Sequence, residues 1–180
     1  HLFLGWRARA RAAVAASGLA QVNPLNGAFM EMLAQAFFGL IDWKARAVTY
    51  WGDPDHLYQF TTTGDVAAYV AAAALDPNLA HGAFEIVGDT ASPRMLAALA
   101  QEATGAPFEL KSLGDLAALD AEIARRTALS PTDPSTWAGL QYHRLMANGA
   151  GWLHSPQNKR FGGIQPVSIR QWLAAREEIA

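Results

Sequence analysis

Nine consecutive residues, Asn23-Pro24-Leu25-Asn26-Gly27-Ala28-Phe29-Met30-Glu31, bring together the pieces of a small-molecule site. The amide side chains and the glycine backbone can offer hydrogen bonds, and Phe29 and Met30 can wall an apolar pocket beside them. The surrounding pattern predicts a short strand from Ala20 to Asn23, ended by Pro24 and by a turn at Asn26 and Gly27. A helix from Phe29 to Phe38 follows, with Gly39 as its stop. In open α/β sheets, ligands bind just outside the carboxyl ends of the strands, where this succession would put these residues. A plain connection between a strand and a helix fits the same residues equally well.

Other chemistries find less support. The five histidines stand at positions 1, 56, 81, 143 and 154, and no two have the four-residue spacing of a helical metal site, so no metal is expected. There is no cysteine, which removes disulfides and thiol nucleophiles and favours a reducing compartment. Asp53 and Asp55 flank Pro54, where turn propensity accounts for both. Tyr142 and His143 are neighbours on a predicted helix, so they point about 100° apart and do not form one acid–base pair. No Gly-x-Ser-x-Gly elbow and no Gly-x-Gly-x-x-Gly fingerprint occurs, and Gly162-Gly163 lies in a loop. Arg7 and Arg11 share a helical face with Arg9 nearly opposite, a solvated face rather than a phosphate patch.

The elements that must hold these residues alternate. A helix from Trp6 to Ser17 stops at Gly18. Ala45 to Trp51 and Leu57 to Thr63 are strand-like runs joined by Gly52-Asp53-Pro54-Asp55, which predicts a hairpin. In Phe60 to Pro77, FTTTGDVAAYVAAAALDP, Asp65 reads as the cap of a helix from Val66 to Leu75 that Pro77 ends. Ala83 to Val87 reads as a buried strand. Ser92-Pro93 opens a helix that Gly105 closes, and a short strand follows from Pro107 to Leu110. Ser112 with Asp115 reads as a capping box for a helix to Arg126. A loop spans Ser130 to Ser135, a helix Thr136 to Asn148 and an irregular stretch His154 to Gly163. Ser168 with Gln171 opens the last helix. Strands alternating with helices predict an α/β fold with a parallel component to its sheet.

The chain's 180 residues suit one domain that buries roughly 70% of its unfolded surface. Apolar residues make up 51% of it and charged residues 17%, the balance of a packed core rather than of disorder. A net charge of -2 gives no footing for nucleic acid or a membrane surface. No apolar run approaches the roughly 20 residues of a bilayer span, and a cytoplasmic location is expected. The chain enters a helical pattern almost at once after His1, which is expected of a piece of a longer protein.

Several stretches together resemble one family. SGLAQVNPLNGAFMEML, FTTTGDVAAYVAAAALDP, GAFEIVGD, ATGAPFEL and Gln165-Pro166 before a helix with Trp172-Leu173 are similar, in this order, to NmrA-like, atypical short-chain dehydrogenase/reductase proteins. The resemblance covers nearly the whole chain. It implies the C-terminal part of a Rossmann-type parallel sheet with a smaller helical and hairpin substrate region. The glycine-rich half that binds most of the NAD(P) would lie outside residues 1–180. It also implies that Asn23, Pro24, Leu25 and Asn26 lie near the nicotinamide, and Phe29 and Met30 near the substrate. Many members carry a lysine about where Trp6 or Arg7 stands here, and neither of these relays protons well at neutral pH. Two functions follow as expectations: an NAD(P)-dependent reductase of small carbonyl, quinone or enone substrates, or a non-catalytic NAD(P)-binding sensor that docks on a protein partner.

Overall fold

The computed structural model describes residues 2–79 and 82–175, with side chains from residue 5 onward. His1 and His81 lie outside that description, as does the end of the chain after residue 175. The chain folds as mixed α/β. Helix α1 (Leu2–Ala16) leads to β1 (Val22–Asn26), β2 (Ala28–Phe29) and a 3-10 turn at Met30–Ala34. Next come β3 (Ile41–Asp42), β4 (Ala47–Tyr50), β5 (Tyr58–Thr61) and α2 (Thr63–Ala74). After them stand β6 (Gly82–Ile86), β7 (Asp89–Ala91), α3 (Pro93–Thr104), β8 (Glu109–Ser112) and α4 (Leu116–Leu129). Helices α5 (Ala138–Ala147) and α6 (Ile169–Ala174) complete the order.

Three small sheets form among the described residues. β1 and β6 pair in parallel, with Val22 opposite Gly82 and Asn26 opposite Ile86. β5 lies between β2, parallel to it, and β7, antiparallel. β4 lies between β3, antiparallel, and β8, parallel. The larger core cluster includes Met30, Leu33, Phe38, Leu40, Val48, Phe60, Leu96 and Ile169. A second cluster, Tyr69, Ala73, Leu79, Phe84 and Ile86, seats α2 against the β1–β6 pair.

Tertiary context corrects several local expectations. β1 does not end at Pro24 but runs through it to Asn26. Among the described residues its one pairing partner is β6, so it stands at an edge of this pair, where a residue without an N–H is tolerated. Asn26-Gly27 is accordingly a junction of strands rather than a turn. The helix from Phe29 to Phe38 shrinks to a 3-10 turn, with Met30 and Leu33 buried on its i, i+3 face. The runs on either side of Gly52-Asp53-Pro54-Asp55 do not make a hairpin, because β4 and β5 belong to different sheets. The turn itself forms, with Asp55 N–H donating to Asp53 Oδ1 at 2.8 Å. The hairpin lies one element earlier, between β3 and β4, where Arg46 adopts a φ of 50°.

The cap of α2 is Thr62, whose hydroxyl accepts from Asp65 N–H at 3.0 Å. That frees the Asp65 carboxylate to accept from Val167 N–H at 3.0 Å, and so to tie α2 to the chain ahead of α6. Asp115 alone caps α4, its carboxylate accepting from Ala118 N–H at 2.8 Å. The caps at Ser92 and Ser168 and the left-handed stops at Gly18 and Gly105 form as the residue types predict, whereas Gly39, though left-handed, ends no helix because the 3-10 turn is over at Ala34.

Candidate functional site

Strand alternation sorts β1 into two faces. Val22, Pro24 and Asn26 stand opposite Gly82, Phe84 and Ile86, on the side that α2 covers. Asn23 and Leu25 stand opposite Ala83 and Glu85 on the other side, where Ala83 is exposed and the remaining three are half-buried. Asn23 Oδ1 accepts from Gln21 Nε2 at 2.8 Å, and Asn26 Nδ2 donates to the Gly27 carbonyl at 2.8 Å. Gly27 N–H donates to the Ile86 carbonyl at 3.2 Å, which closes the carboxyl end of the β1–β6 pair. Gly27 is buried, and a Cβ there would meet the Gln59 carbonyl oxygen at 2.6 Å.

Beyond this junction Phe29, half-buried, pairs with Thr61 across the β2–β5 ladder. Met30 is 0% exposed inside the larger core cluster, so it supports the segment from beneath. Glu31 reaches across to α2: its Oε1 accepts from the Thr63 N–H at 2.9 Å and from the Thr63 hydroxyl at 2.7 Å. Glu31 Oε2 and Thr61 Oγ1 are buried without a hydrogen-bond partner among the described residues.

A strap of chain from Leu153 to Phe161 closes the rim. Gln59 binds Leu153 twice, donating to its carbonyl at 3.0 Å and accepting its N–H at 2.7 Å. Ser155 and Gln157 N–H groups donate to the side chain and backbone of Glu85. Asn158 brackets Val87, accepting its N–H at 3.2 Å and donating to its carbonyl at 3.1 Å, and donates to the Tyr69 hydroxyl at 3.0 Å. The stretch read as irregular thus runs along the free edge of β6, a common way to cover an unpaired strand. No local pattern announces it, since these bonds join residues 70 to 94 positions apart.

Trp6 is 46% exposed on α1, and the Arg7 guanidinium donates to the Tyr142 hydroxyl at 3.4 Å. Tyr142 in turn packs against the core cluster that holds Met30, so α5 links Arg7 to the candidate segment. One turn along from Gly139, where a Cβ would run into the Phe37 carbonyl, His143 is buried with Nε2 2.5 Å from the Phe38 carbonyl. Burial lowers its pKa more than the Phe38 bond raises it, so the ring is neutral and its N–H donates. Tyr58 is pushed up to about 12 by burial and then by Asp53, which leaves it protonated at neutral pH.

The remaining sequence candidates take structural roles. Asp55 is paired in bidentate fashion with Arg94, whose hydrogen bonds hold its carboxyl below the usual range. No group of three or more metal-ligating side chains occurs among the described residues. Two open clefts, of about 520 and 420 Å³, lie along α4 and meet at Arg125 and Arg126, away from Asn23–Glu31. The same two arginines clamp Glu122 and hold its pKa down to about 2, Arg125 having the larger effect.

No protein-family model and no curated protein sequence matches the chain. Solved structures do. Leucoanthocyanidin reductase from Vitis vinifera, in its NADPH complex, aligns over 96% of this chain and 59% of its own, with a TM-score of 0.77 and 11% identity. A nucleoside-diphosphate-sugar epimerase from Staphylococcus aureus aligns over 93% and 56%, with 0.71 and 18%. An NADPH-dependent quinone oxidoreductase from Escherichia coli, complexed with NADPH, aligns over 91% and 56%, with 0.67 and 16%. The chain has the fold of the C-terminal portion of these reductases. It spans less than 60% of the length of each of them. No helix among the described residues is long and apolar enough to cross a membrane.

Proposed function

We propose that the chain is the substrate-side, C-terminal portion of an NmrA-like NAD(P)-dependent reductase acting on small carbonyl, quinone or enone compounds. The observation that carries this reading is the fold shared with NADPH-bound reductases over nearly the whole chain. The β1–β6 pair supports it. A parallel sheet is normally covered on both faces, yet here one face of a two-stranded pair is half-open and the far edge of β1 is unpaired among the described residues. A glycine-rich nucleotide-binding half preceding this chain would supply the missing strands. It would also bind most of the dinucleotide.

The residues at the strand end suit such a cofactor. Asn26 has no partner on its side-chain carbonyl oxygen among the described residues, while its amide holds the Gly27 carbonyl. Asn23, Pro24, Leu25 and Asn26 would line the nicotinamide end, and the hydride chemistry would be the cofactor's own. Phe29 would face the substrate, with Met30 fixing it from the core. A cytoplasmic location, where such an enzyme has a nicotinamide pool to draw on, completes the proposal.

The second reading is a dinucleotide-binding sensor that docks on a protein. Trp6 favours it: at about the place of a family lysine stands an exposed indole that cannot move protons. Titration of the full-length protein with NADH and NADPH tests both readings, and absence of binding overturns both. Turnover of a quinone and enone panel then separates them. A gain of turnover in Trp6→Lys marks a lost catalytic position, whereas an inactive parent and an inactive Trp6→Lys leave the sensor.

A further inference from the structure

We propose that Glu31 is a positioning residue of this site, its carboxylate carrying on the β2–β5 ladder where the backbone no longer can. The inference rests on the reading that Phe29 faces the substrate. The ladder itself is two pairs long, Ala28 with Phe60 and Phe29 with Thr61. The next pair in that register would be Met30 with Thr62, and the one after it Glu31 with Thr63. By that point one chain has entered the 3-10 turn Met30–Ala34 and the other the helix α2, so backbone pairing stops. Two pairs are a weak clamp, far short of a typical strand.

The Glu31 side chain replaces the missing pair with two bonds from Thr63, at 2.9 and 2.7 Å, both to Oε1. Thr63 is the first residue of the 12-residue α2, so the carboxylate also meets the positive end of that helix. Charged acceptors make the shorter and stronger hydrogen bonds. The corner that presents Phe29 is therefore held from both sides, by Thr61 before it and Thr63 after it.

The second oxygen does not face solvent, as that of a surface cap would. Glu31 Oε2 is instead buried with no partner among the described residues, and so is Thr61 Oγ1, on the residue paired with Phe29. Buried unpaired polar atoms cost free energy and are tolerated where function imposes them.

The test uses the full-length protein, with Glu31→Ala, Glu31→Gln and Thr63→Val, and measures kcat, KM, dinucleotide Kd and Tm on the best substrate of the quinone and enone panel. Glu31→Ala is expected to lower kcat/KM by about 10- to 100-fold, the scale of a small misplacement of reacting groups. Dinucleotide Kd stays within about twofold, because the tie lies on the substrate side. Glu31→Gln, which keeps an acceptor at Oε1, recovers most of the loss. Thr63→Val added to Glu31→Ala costs little more, since both break one tie. Where Glu31→Ala does not fold, Thr63→Val alone carries the test, through a fall in kcat/KM at unchanged Tm. Variants that turn over like the wild type overturn this inference alone. A wild type that binds no dinucleotide and turns nothing over overturns the reductase reading, and this inference with it.

Discussion

Gly27→Ala is the sharpest probe of the junction at the candidate site. Its backbone φ lies outside the left-handed region, so alanine meets no torsional objection. The objection is space. The added methyl would sit 2.6 Å from the Gln59 carbonyl oxygen, 2.7 Å from its carbon and 2.8 Å from Phe60 N. Non-bonded atoms attract at roughly 3.5 Å, so the two backbones must part by about 0.9 Å. Gln59 resists that retreat. Its side chain is bonded twice to Leu153, its backbone lies in the β5–β7 register opposite Thr90, and the residue after it, Phe60, is fully buried. Overpacking against yielding side chains costs about 1–3 kcal/mol, and here the obstacle is backbone, so a cost near 3 kcal/mol is expected. At roughly 2–4 °C per kcal/mol for a chain of this size, Tm falls by about 6–12 °C. The assay is thermal unfolding followed by tryptophan fluorescence, with Gly163→Ala as the matched control, because nothing lies within 4 Å of a Cβ there. A Gly27→Ala protein that melts within about 2 °C of the control would refute the close approach of β1, β2 and β5.

His143 makes stability depend on pH. Its folded pKa is lowered from 6.5, so the unfolded state takes up its proton first as pH falls; the stability it contributes is present above about 6.5 and lost below. Unfolding free energy should decline between pH 6.5 and 5, by at most about 1.4 kcal/mol per pH unit from this group. His143→Gln, which keeps a donor for the Phe38 carbonyl, should flatten that decline, and an unchanged slope would count against the assignment. Asn158→Ala removes three hydrogen bonds from the strap and is expected to cost about 2 kcal/mol. It should also expose residues 153–163 to limited proteolysis, and resistance equal to the wild type would show that the strap is held by something else.

Caps and stops were legible in the sequence because their causes are local. Ser92-Pro93, Ser168 with Gln171, and the glycines at 18 and 105 act within one turn of chain, and the residue types suffice. The candidate site was half legible. Asn23 to Met30 could be picked out as a strand end followed by a change of structure, but the boundary at Pro24 was misplaced. Propensity cannot know that β1 continues past Pro24 beside β6. Met30 reads as a pocket wall in sequence and is a core residue in space, since only packing decides which side of the 3-10 turn faces inward.

The sequence by itself determined the α/β alternation, the helix starts at Ser92 and Ser168 and the absence of thiol chemistry, because each follows from residue types at short range. Tertiary structure alone decided which strands pair. The strong turn at Asp53 to Asp55 reverses the chain but cannot bind β4 to β5, because β3 and β8 take the edges of one and β2 and β7 those of the other. It also decided that Asp65 reaches Val167, Gln59 reaches Leu153 and Glu31 reaches Thr63. Those bonds span 32 to 102 residues, and a polar side chain carries no mark of its partner until the core has brought the two together.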